Sequence, residues 1–467
     1  MVSETLKAGE YFLKSFKIRK LNSYEIEKDI VGLIHTWEFS ESMNSAFING
    51  SAIVYDSNDM LDDWERKPNG WLKGEEEIEI EFEDFYGDTF TAKFFLYAIT
   101  DLEIPSPSNQ TIFKYKLNFV SKEKFYANRQ SIKRAFQNDT IKEYVQTIYD
   151  DIFEPVDSKE MYMGEEDDTT TMSLIVPNYT ADETMHFFSR KAYSKKYPTQ
   201  TFRFFESKDG FYFGTMSQIV DEFKFGLGPQ RKRLDGNTPP IFVSPEYADQ
   251  SPDGQLRLMS TIVDIRFPVY VNTIEDMNSG AYYSEVEELD FLNRKTNPSR
   301  AEPFKYLDEL SNLGIYDLPA RTQTISKHSR DFVDEHMSDP KTTLVIKDYN
   351  REGETDSKFL RPNTYYDMMY NDKRVHFYHH INESIEMTIY GRSKLTVGDI
   401  IELDLKEVNA VVDDRKKDEK RSGFYIIESM SNVFYEDQYT QKLIISRSGY
   451  EGRENAVAST ISEGNET

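Results

Sequence analysis

The chain has 467 residues, of which 38% are hydrophobic and 14% aromatic, with 30 Tyr and 32 Phe against 3 Trp. Asp and Glu number 82 against 56 Lys and Arg, a formal charge of −26; that balance argues against a protein that grips phosphate backbones, which takes clustered Lys and Arg. There is no Cys, which excludes disulfides, thiolate zinc sites and cysteine catalysis.

The N-terminal segment lacks the apolar run of a signal peptide. No stretch approaches the ~20 apolar residues of a membrane span, so the expectation is synthesis in the cytoplasm without membrane insertion. The length fits about three domains. Aromatic weight with abundant Thr, Ile and Val points to a β-rich chain with some helix.

Residues 1–30 are weakly patterned. From Val31 the pattern becomes β, with Phe47-Ile48-Asn49-Gly50 reading as a turn. After Pro68-Asn69-Gly70, Ile78, Ile80 and Phe82 alternate with Glu77, Glu79, Glu81 and Glu83. This is a strand with one buried face and one anionic face. Further strands are expected from Phe90 to Ile99 and from Phe113 to Val120, giving one antiparallel barrel or sandwich.

Thr140 and Glu143 form a T-x-x-E capping box. Ile141, Tyr144, Val145, Ile148, Tyr149 and Ile152 then mark the stripe of an amphipathic helix, which Pro155 stops. Glu165 to Asp168 lie in a polar loop without the spaced ligands of a calcium site. A second capping box, Thr180 and Glu183, opens a helix whose buried face carries Met185, Phe188 and Ala192, ending by Pro198. An aromatic hairpin follows, with Phe202 and Phe204 against Phe211 and Phe213. Its turn, Ser207-Lys208-Asp209-Gly210, supplies through Asp-Gly the positive φ of a tight hairpin. This stretch is scaffold.

Residues 226–254, with Arg231-Lys232-Arg233, read as linker surface, and Leu258 to Asn272 as strand. The final β region runs from Ile385 to Ser448. In it Ile401, Leu403 and Leu405 alternate with Glu402, Asp404 and Lys406, and a charged loop spans Asp413 to Arg421. The starts Gly74-Glu75 and Gly398-Asp399 share a cadence suggesting a duplicated barrel, although aligning the glycines slips the apolar phase by one residue.

Among chemical candidates, His376 and His380 lie about 13 Å apart along a strand at ~3.3 Å per residue, and His379 faces the other way; this is not zinc geometry. No G-x-S-x-G, P-loop, H-E-x-x-H or G-x-G-x-x-G motif is present. No metal, cofactor or catalytic residue is assigned. The anionic faces are either solvated surface or the wall of a pore, with Glu79, Glu81, Glu402 and Asp404 lowering the affinity of a passing polyanion.

The order of segments resembles a known family. It runs from an N-terminal barrel with NSAFINGSAIVYDSNDML and LKGEEEIEIEF, through the capped helix TIKEYVQTIYDDIF and HFFSRKA…FRFFESKDGFYF, to MNSGAYYSEVEELDFLNR. The closing stretch is LTVGDIIELDL…SGFYIIESMSNVFYEDQYTQKLIIS. Over about residues 30–450 it is similar to the baseplate central hub protein of contractile-tailed bacteriophages, related to the hub region of the type VI secretion spike.

That resemblance implies an α+β, mainly β fold with two tube-like antiparallel β-barrel domains and inserted helix and hairpin segments. Residues 1–120 would form the first barrel, 121–225 the helix and aromatic hairpin domain, and 226–275 a linker with the first strands of the second barrel. Residues 276–379 would be a peripheral insertion, 380–450 the rest of the second barrel, and 451–467 a flexible tail. It implies a non-enzymatic homotrimer in the virion, assembled in the host cytoplasm, forming a pseudo-sixfold ring with a DNA channel. Implied partners are a separate central spike protein, the tail tube or tube-initiator protein, baseplate wedge proteins and the tape-measure protein; DNA passes without specific binding. A β-rich polysaccharide-degrading enzyme and a host-receptor-binding tail protein are the alternative readings.

Overall fold

The computed structural model describes residues 7–20, 23–57, 60, 72–74, 76–103, 112–154, 159–164, 172–192, 202–216, 218–219, 239–245, 251–268, 274, 284–290, 294–301, 341–346, 349–350, 361–362, 383–407, 416–418 and 421–447. The chain opens with β1 (Phe12–Lys20) and β2 (Ser23–Asp29), where the sequence is weakly patterned. Then come β3 (Ile34–Ser42), β4 (Asn49–Asp56), β5 (Glu77–Glu83), β6 (Thr89–Glu103) and β7 (Phe113–Ser121). A module follows, made of α1 (Lys122–Ala127), β8 (Ile132–Asp139), α2 (Ile141–Ile152), β9 (Met161–Met163), β10 (Met172–Tyr179), α3 (Ala181–Lys191), β11 (Arg203–Glu206) and β12 (Phe211–Gly214).

Next are β13 (Ile241–Val243), α4 (Pro252–Leu258) and β14 (Ile262–Arg266). Strands β15 (Ser284–Asp290), β16 (Lys295–Ala301) and β17 (Lys341–Ile346) make a separate sheet, and β18 (Tyr349–Asn350) pairs with β19 (Arg361–Pro362). The chain returns through β20 (Glu383–Tyr390), β21 (Ile400–Asp404), β22 (Gly423–Tyr435) and β23 (Gln438–Arg447).

The architecture is mainly β. One continuous sheet runs in the order β14-β20-β23-β22-β3-β4-β7-β6-β5-β1-β2, with β21 beside β22 and β13 beside β21. It curls into two closed rings that share the β22–β23 hairpin. The first closes where Gly9 to Tyr11 meet the hairpin tip: Tyr439 N donates to Gly9 O at 2.7 Å and Tyr11 N to Asp437 O at 3.3 Å. The second closes through a parallel bridge, Val243 with Thr261, where Val243 N donates to Ser260 O at 2.9 Å.

Period-2 alternation dictates what fills each ring. Phe16, Ile18, Trp37, Phe39, Ile78, Ile80, Phe82, Leu117 and Phe119 point into the first, with Phe434 and Tyr439 from the shared hairpin. Trp37 stacks on Phe434 at 3.7 Å between ring centroids, and Phe434 on Tyr439 at 4.2 Å. Ile385, Met387, Ile401, Leu403, Tyr425, Ile427, Leu443 and Ile445 fill the second. The inward side chains of each ring form one hydrophobic cluster.

The module buries a third core between α2, α3 and the aromatic hairpin. Both capping boxes form. The α2 stripe buries Ile141, Tyr144, Val145, Ile148 and Ile152, and α3 buries Met185 and Phe188.

Three local expectations are corrected. Asn49 and Gly50 begin β4 instead of turning the chain. Gly50 is required there because a Cβ would lie 2.3 Å from the Phe119 ring and 2.6 Å from Glu38 O. Residues 252–258 are helical, with Pro252 in the first turn and the Ser251 hydroxyl accepting from Gly254 N at 3.1 Å; the strand begins only at Ile262. In the hairpin turn neither Asp209 nor Gly210 has positive φ. Ser207 Oγ instead organises the turn by donating to Gly210 O at 3.0 Å, and glycine is needed because a Cβ would lie 2.5 Å from Glu160 O, just before β9.

The duplication suggested by the glycines is real in register. The correct anchor is the buried acid two residues before the first inward apolar residue. Glu76 accepts from Lys73 N at 2.7 Å, and Asp399 from Thr396 N at 2.9 Å. Leu96 N donates to Glu76 O at 2.8 Å, and Ile427 N to Asp399 O at 2.9 Å. Ile78 then faces Phe94 as Ile401 faces Tyr425.

The β-bulge between Leu96 and Ala98 recurs between Ile427 and Ser429. The bulge between Ile34 and Thr36 recurs between Ile262 and Asp264. Ala52 opposite Leu117 matches Met387 opposite Leu443, and Trp37 opposite Ala52 matches Ile265 opposite Met387. Strands β3 to β7 therefore superpose in register on β14 and β20 to β23. The copies differ beyond this unit: β1 runs antiparallel to β5, whereas β13 runs parallel to β21.

Burial raises the phenol groups of Tyr11, Tyr115 and Tyr439 above the ordinary value of 10.0. A raised acid holds its proton in the folded state, so its stabilisation is complete below the unfolded value and is lost as pH rises above it. Urea denaturation at stepped pH should show stability falling from about pH 10 upward. A flat profile across that window would contradict the burial of these rings.

Candidate functional site

The sequence singles out the acidic faces, and the structure places them on the outsides of the barrels. On β5, Glu77, Glu79, Glu81 and Glu83 are half-buried while Ile78, Ile80 and Phe82 point inward. On β21, Glu402 and Asp404 are likewise half-buried beside the inward Ile401 and Leu403. Because Glu76 corresponds to Asp399, Glu79 corresponds to Glu402 and Glu81 to Asp404. The four candidates occupy two equivalent pairs of positions on separate barrels, with β22, β3, β4, β7 and β6 between them along the sheet.

Neighbouring strands dilute the charge of the β5 face. Strand β1 sets Lys17 opposite Glu79 and Arg19 opposite Glu77. Arg19 Nη1 lies 3.4 Å from Glu79, Lys93 Nζ 3.9 Å from the same carboxylate, and Lys14 Nζ 2.7 Å from Glu83 and 3.8 Å from Glu81. Asp404 lies 3.9 Å from Lys417. Cross-strand pairs of this kind contribute roughly 0.2–1 kcal/mol each. The single-strand reading of an anionic face missed these cations because they come from other strands.

The second polar feature, which sequence reasoning missed, is a buried joint around the hairpin turn. Lys208, 7% exposed at its side chain, reaches Glu41 of β3, 0% exposed, at 3.8 Å. Lys208 N donates to Glu41 Oε2 and to Thr396 Oγ1, both at 3.2 Å, and Lys208 Nζ donates to Ser393 O at 2.9 Å. The Thr396 hydroxyl donates to Glu41 Oε2. Asp84 accepts from Ser393 N at 2.9 Å and from its hydroxyl at 2.7 Å.

On the other side of the turn, Glu206 accepts from Lys159 Nζ at 2.6 Å and from Ile48 N at 3.0 Å. Burial alone would lower the Lys159 ammonium, but the charges of Glu206 and Glu123 outweigh it and its pKa is raised. One four-residue turn thus ties the module to both barrels. A lysine in a polar Asp-Gly turn gives no hint of burial, since lysines are almost never buried unless paired.

Lys208, Glu41, Glu206 and Asp84 are buried among these partners, which suits a structural joint. Among the described residues no group of three or more His, Asp or Glu could hold a metal ion, and no helix is long and apolar enough to cross a membrane. His376, His379, His380, Glu165 to Asp168, Arg231 to Arg233, Met277 to Tyr283 and the tail 451–467 lie outside the described residues, as does much of the Asp413–Arg421 loop.

No protein-family model matches the chain, and no curated protein matches it by sequence. Solved structures do. The tail protein from Neisseria meningitidis MC58 is similar at a TM-score of 0.50 and 8% identity, over 94% of this chain and 98% of that one. The 43 kDa tail protein of prophage MuSo2 from Shewanella oneidensis is similar at 0.48 and 6% identity, over 93% and 98%. The E. coli c3393 protein, a type VI secretion component described as similar to the T4 tail proteins gp27 and gp5, is similar at 0.37 and 10% identity, over 92% and 76%. The Neisseria protein shares the fold along nearly its whole length.

Removing one partner from the joint strands a buried charge. Lys208→Met should cost about 3–5 kcal/mol in urea denaturation, and adding Glu41→Gln should recover part of it. Equal losses in the single and double variants would show that the ion pair is not what holds the joint.

Proposed function

We propose that this chain is the structural hub of a contractile phage-tail baseplate. Three copies form a pseudo-sixfold ring that joins the sixfold tail tube to a threefold central spike and leaves a channel for DNA. The observation that carries this reading is the in-register repeat of β3 to β7 in β14 and β20 to β23. A chain holding two equivalent barrels can present six equivalent faces as a trimer, which is what a junction between sixfold and threefold symmetry requires. The shared fold of a solved tail protein over 94% of the chain supports the same reading.

In this arrangement the separate spike chain binds one face of the ring and the tube or tube-initiator protein the other. Wedge proteins surround it, and the tape-measure protein reaches it from within the tube. The equivalent carboxylates Glu79 and Glu402, and Glu81 and Asp404, form bands facing the channel, where negative charge disfavours retention of a polyanion. The protein has no enzymatic step of its own and resides in the virion baseplate, assembled in the host cytoplasm.

Electron microscopy of the purified chain at high concentration, alone and with a candidate spike chain, tests this. The expected particle is a threefold ring with six lobes and a central hole. Monomers under both conditions would overturn the reading.

A further inference from the structure

The repeat contains information about how copies meet. Within one chain the two barrels are joined by an antiparallel ladder between β3 and β22, running from Ser42 opposite Ser429 to Thr36 opposite Tyr435. Strand β14 is the equivalent of β3, and β6 the equivalent of β22. In a ring of equivalent barrels, the step from the second barrel of one copy to the first barrel of the next repeats the step within the chain. We infer that β14 of one copy pairs antiparallel with the outer half of β6 of the next, completing a continuous sheet around the ring. This rests on the trimeric reading above and specifies its interface.

Among the described residues both edges are open. Strand β6 pairs with β5 only as far as Phe95, with one further bond from Leu96 N to Glu76 O, while its other edge follows β7 out to Glu103. Beyond Leu96 the β5 edge carries no strand among the described residues. Strand β14 pairs with β20 on one side, and past the Thr261 bridge its other side is unpaired among the described residues. These edges expose apolar side chains, Leu102 at 60% and Val263 at 46%. An open, apolar edge is a template for another strand.

The register follows from the bulges. Thr100 and Glu103 face Lys116 and Lys114, whereas Ser431 and Val433 face Lys442 and Thr440. Strand β6 therefore carries one extra residue here, marked by Asp101 at φ 54°. Glu103 is then the counterpart of Val433 and Arg266 that of Glu38, so the pair Val433–Glu38 becomes Glu103 opposite Arg266. The inward pair Asn432–Phe39 becomes Leu102 opposite Phe267, which already packs on the second core. Opposite charges meet on the outer face and apolar groups on the inner one. Pro268, which cannot donate to a ladder, stands just past the end of β14, in keeping with an edge strand.

The natural absence of cysteine makes disulfide trapping direct. Single variants Glu103→Cys and Arg266→Cys are mixed, oxidised mildly and run without reductant, so that the mixed disulfide is necessarily intermolecular. Glu38→Cys with Val433→Cys in one chain calibrates the geometry, and Val263→Cys with Glu103→Cys is the off-register control, about 10 Å away at ~3.3 Å per residue. The double variant Glu103→Cys/Arg266→Cys should yield covalent trimers.

Preferential Glu103–Arg266 linkage, with Glu103→Arg weakening assembly roughly two- to five-fold and Arg266→Glu restoring it, supports the pairing. A trimer by mass measurement that links no better than the off-register control overturns the pairing and leaves the hub reading standing. A chain that stays monomeric by mass at every concentration, with and without spike, overturns both.

Discussion

The structure depends on one hairpin serving two cores. Strands β22 and β23 send Phe434 and Tyr439 into the first barrel, and Tyr425, Ile427, Leu443 and Ile445 into the second. On β23, Tyr439, Leu443 and Ile445 share one parity, so a single face of the strand serves both cores. On β22 the bulge between Ile427 and Ser429 shifts the phase, so that Tyr425 and Ile427 before it and Met430 and Phe434 after it all point inward. Close by, Asn432, Tyr439 and Gln441 are buried and bonded together: Tyr439 Oη donates to Asn432 Oδ1 at 2.6 Å, and Gln441 Nε2 donates to the same oxygen at 2.9 Å. Slippage of the hairpin by one residue would turn two cores out at once.

The remaining elements fix the barrels relative to each other and to the module. The turn at Ser207 to Gly210 brings a lysine to a glutamate from the first barrel and to a loop leading into the second. Such a pair contributes little net stability compared with apolar packing, but it is costly to break, so it specifies one docked geometry. Among the described residues, β6 beyond Leu96 and β14 beyond the Thr261 bridge each keep one unpaired edge.

Much of the local structure was legible in the residues. Both capping boxes, the α2 stripe, the aromatic hairpin and the alternating strands at Ile78 and Ile401 rest on short-range rules that neighbours along the chain satisfy. Strand β1 was not legible, because only Phe16 and Ile18 among its residues are fully buried and its outward Lys and Arg serve the glutamates of β5. Strand β13 contributes three residues whose place is set by β21. Gly50 and Gly210 looked like turn glycines, yet their lack of a Cβ answers the close approach of Phe119 and Glu160.

The sequence by itself determined the β-rich class, the inward and outward faces of the principal strands and the helix starts, since each depends on periodicity or on a cap within a few residues. Only the tertiary structure decided that the acids of β5 share their surface with Arg19, Lys14 and Lys93. It also decided that Lys208 is buried and that the two barrels repeat in register. The physical reason is the same in each case: charge compensation, burial and strand register are set by partners distant in sequence, and the one-residue difference between Gly74–Glu76 and Gly398–Asp399 hides the repeat until hydrogen bonds identify the equivalent acids.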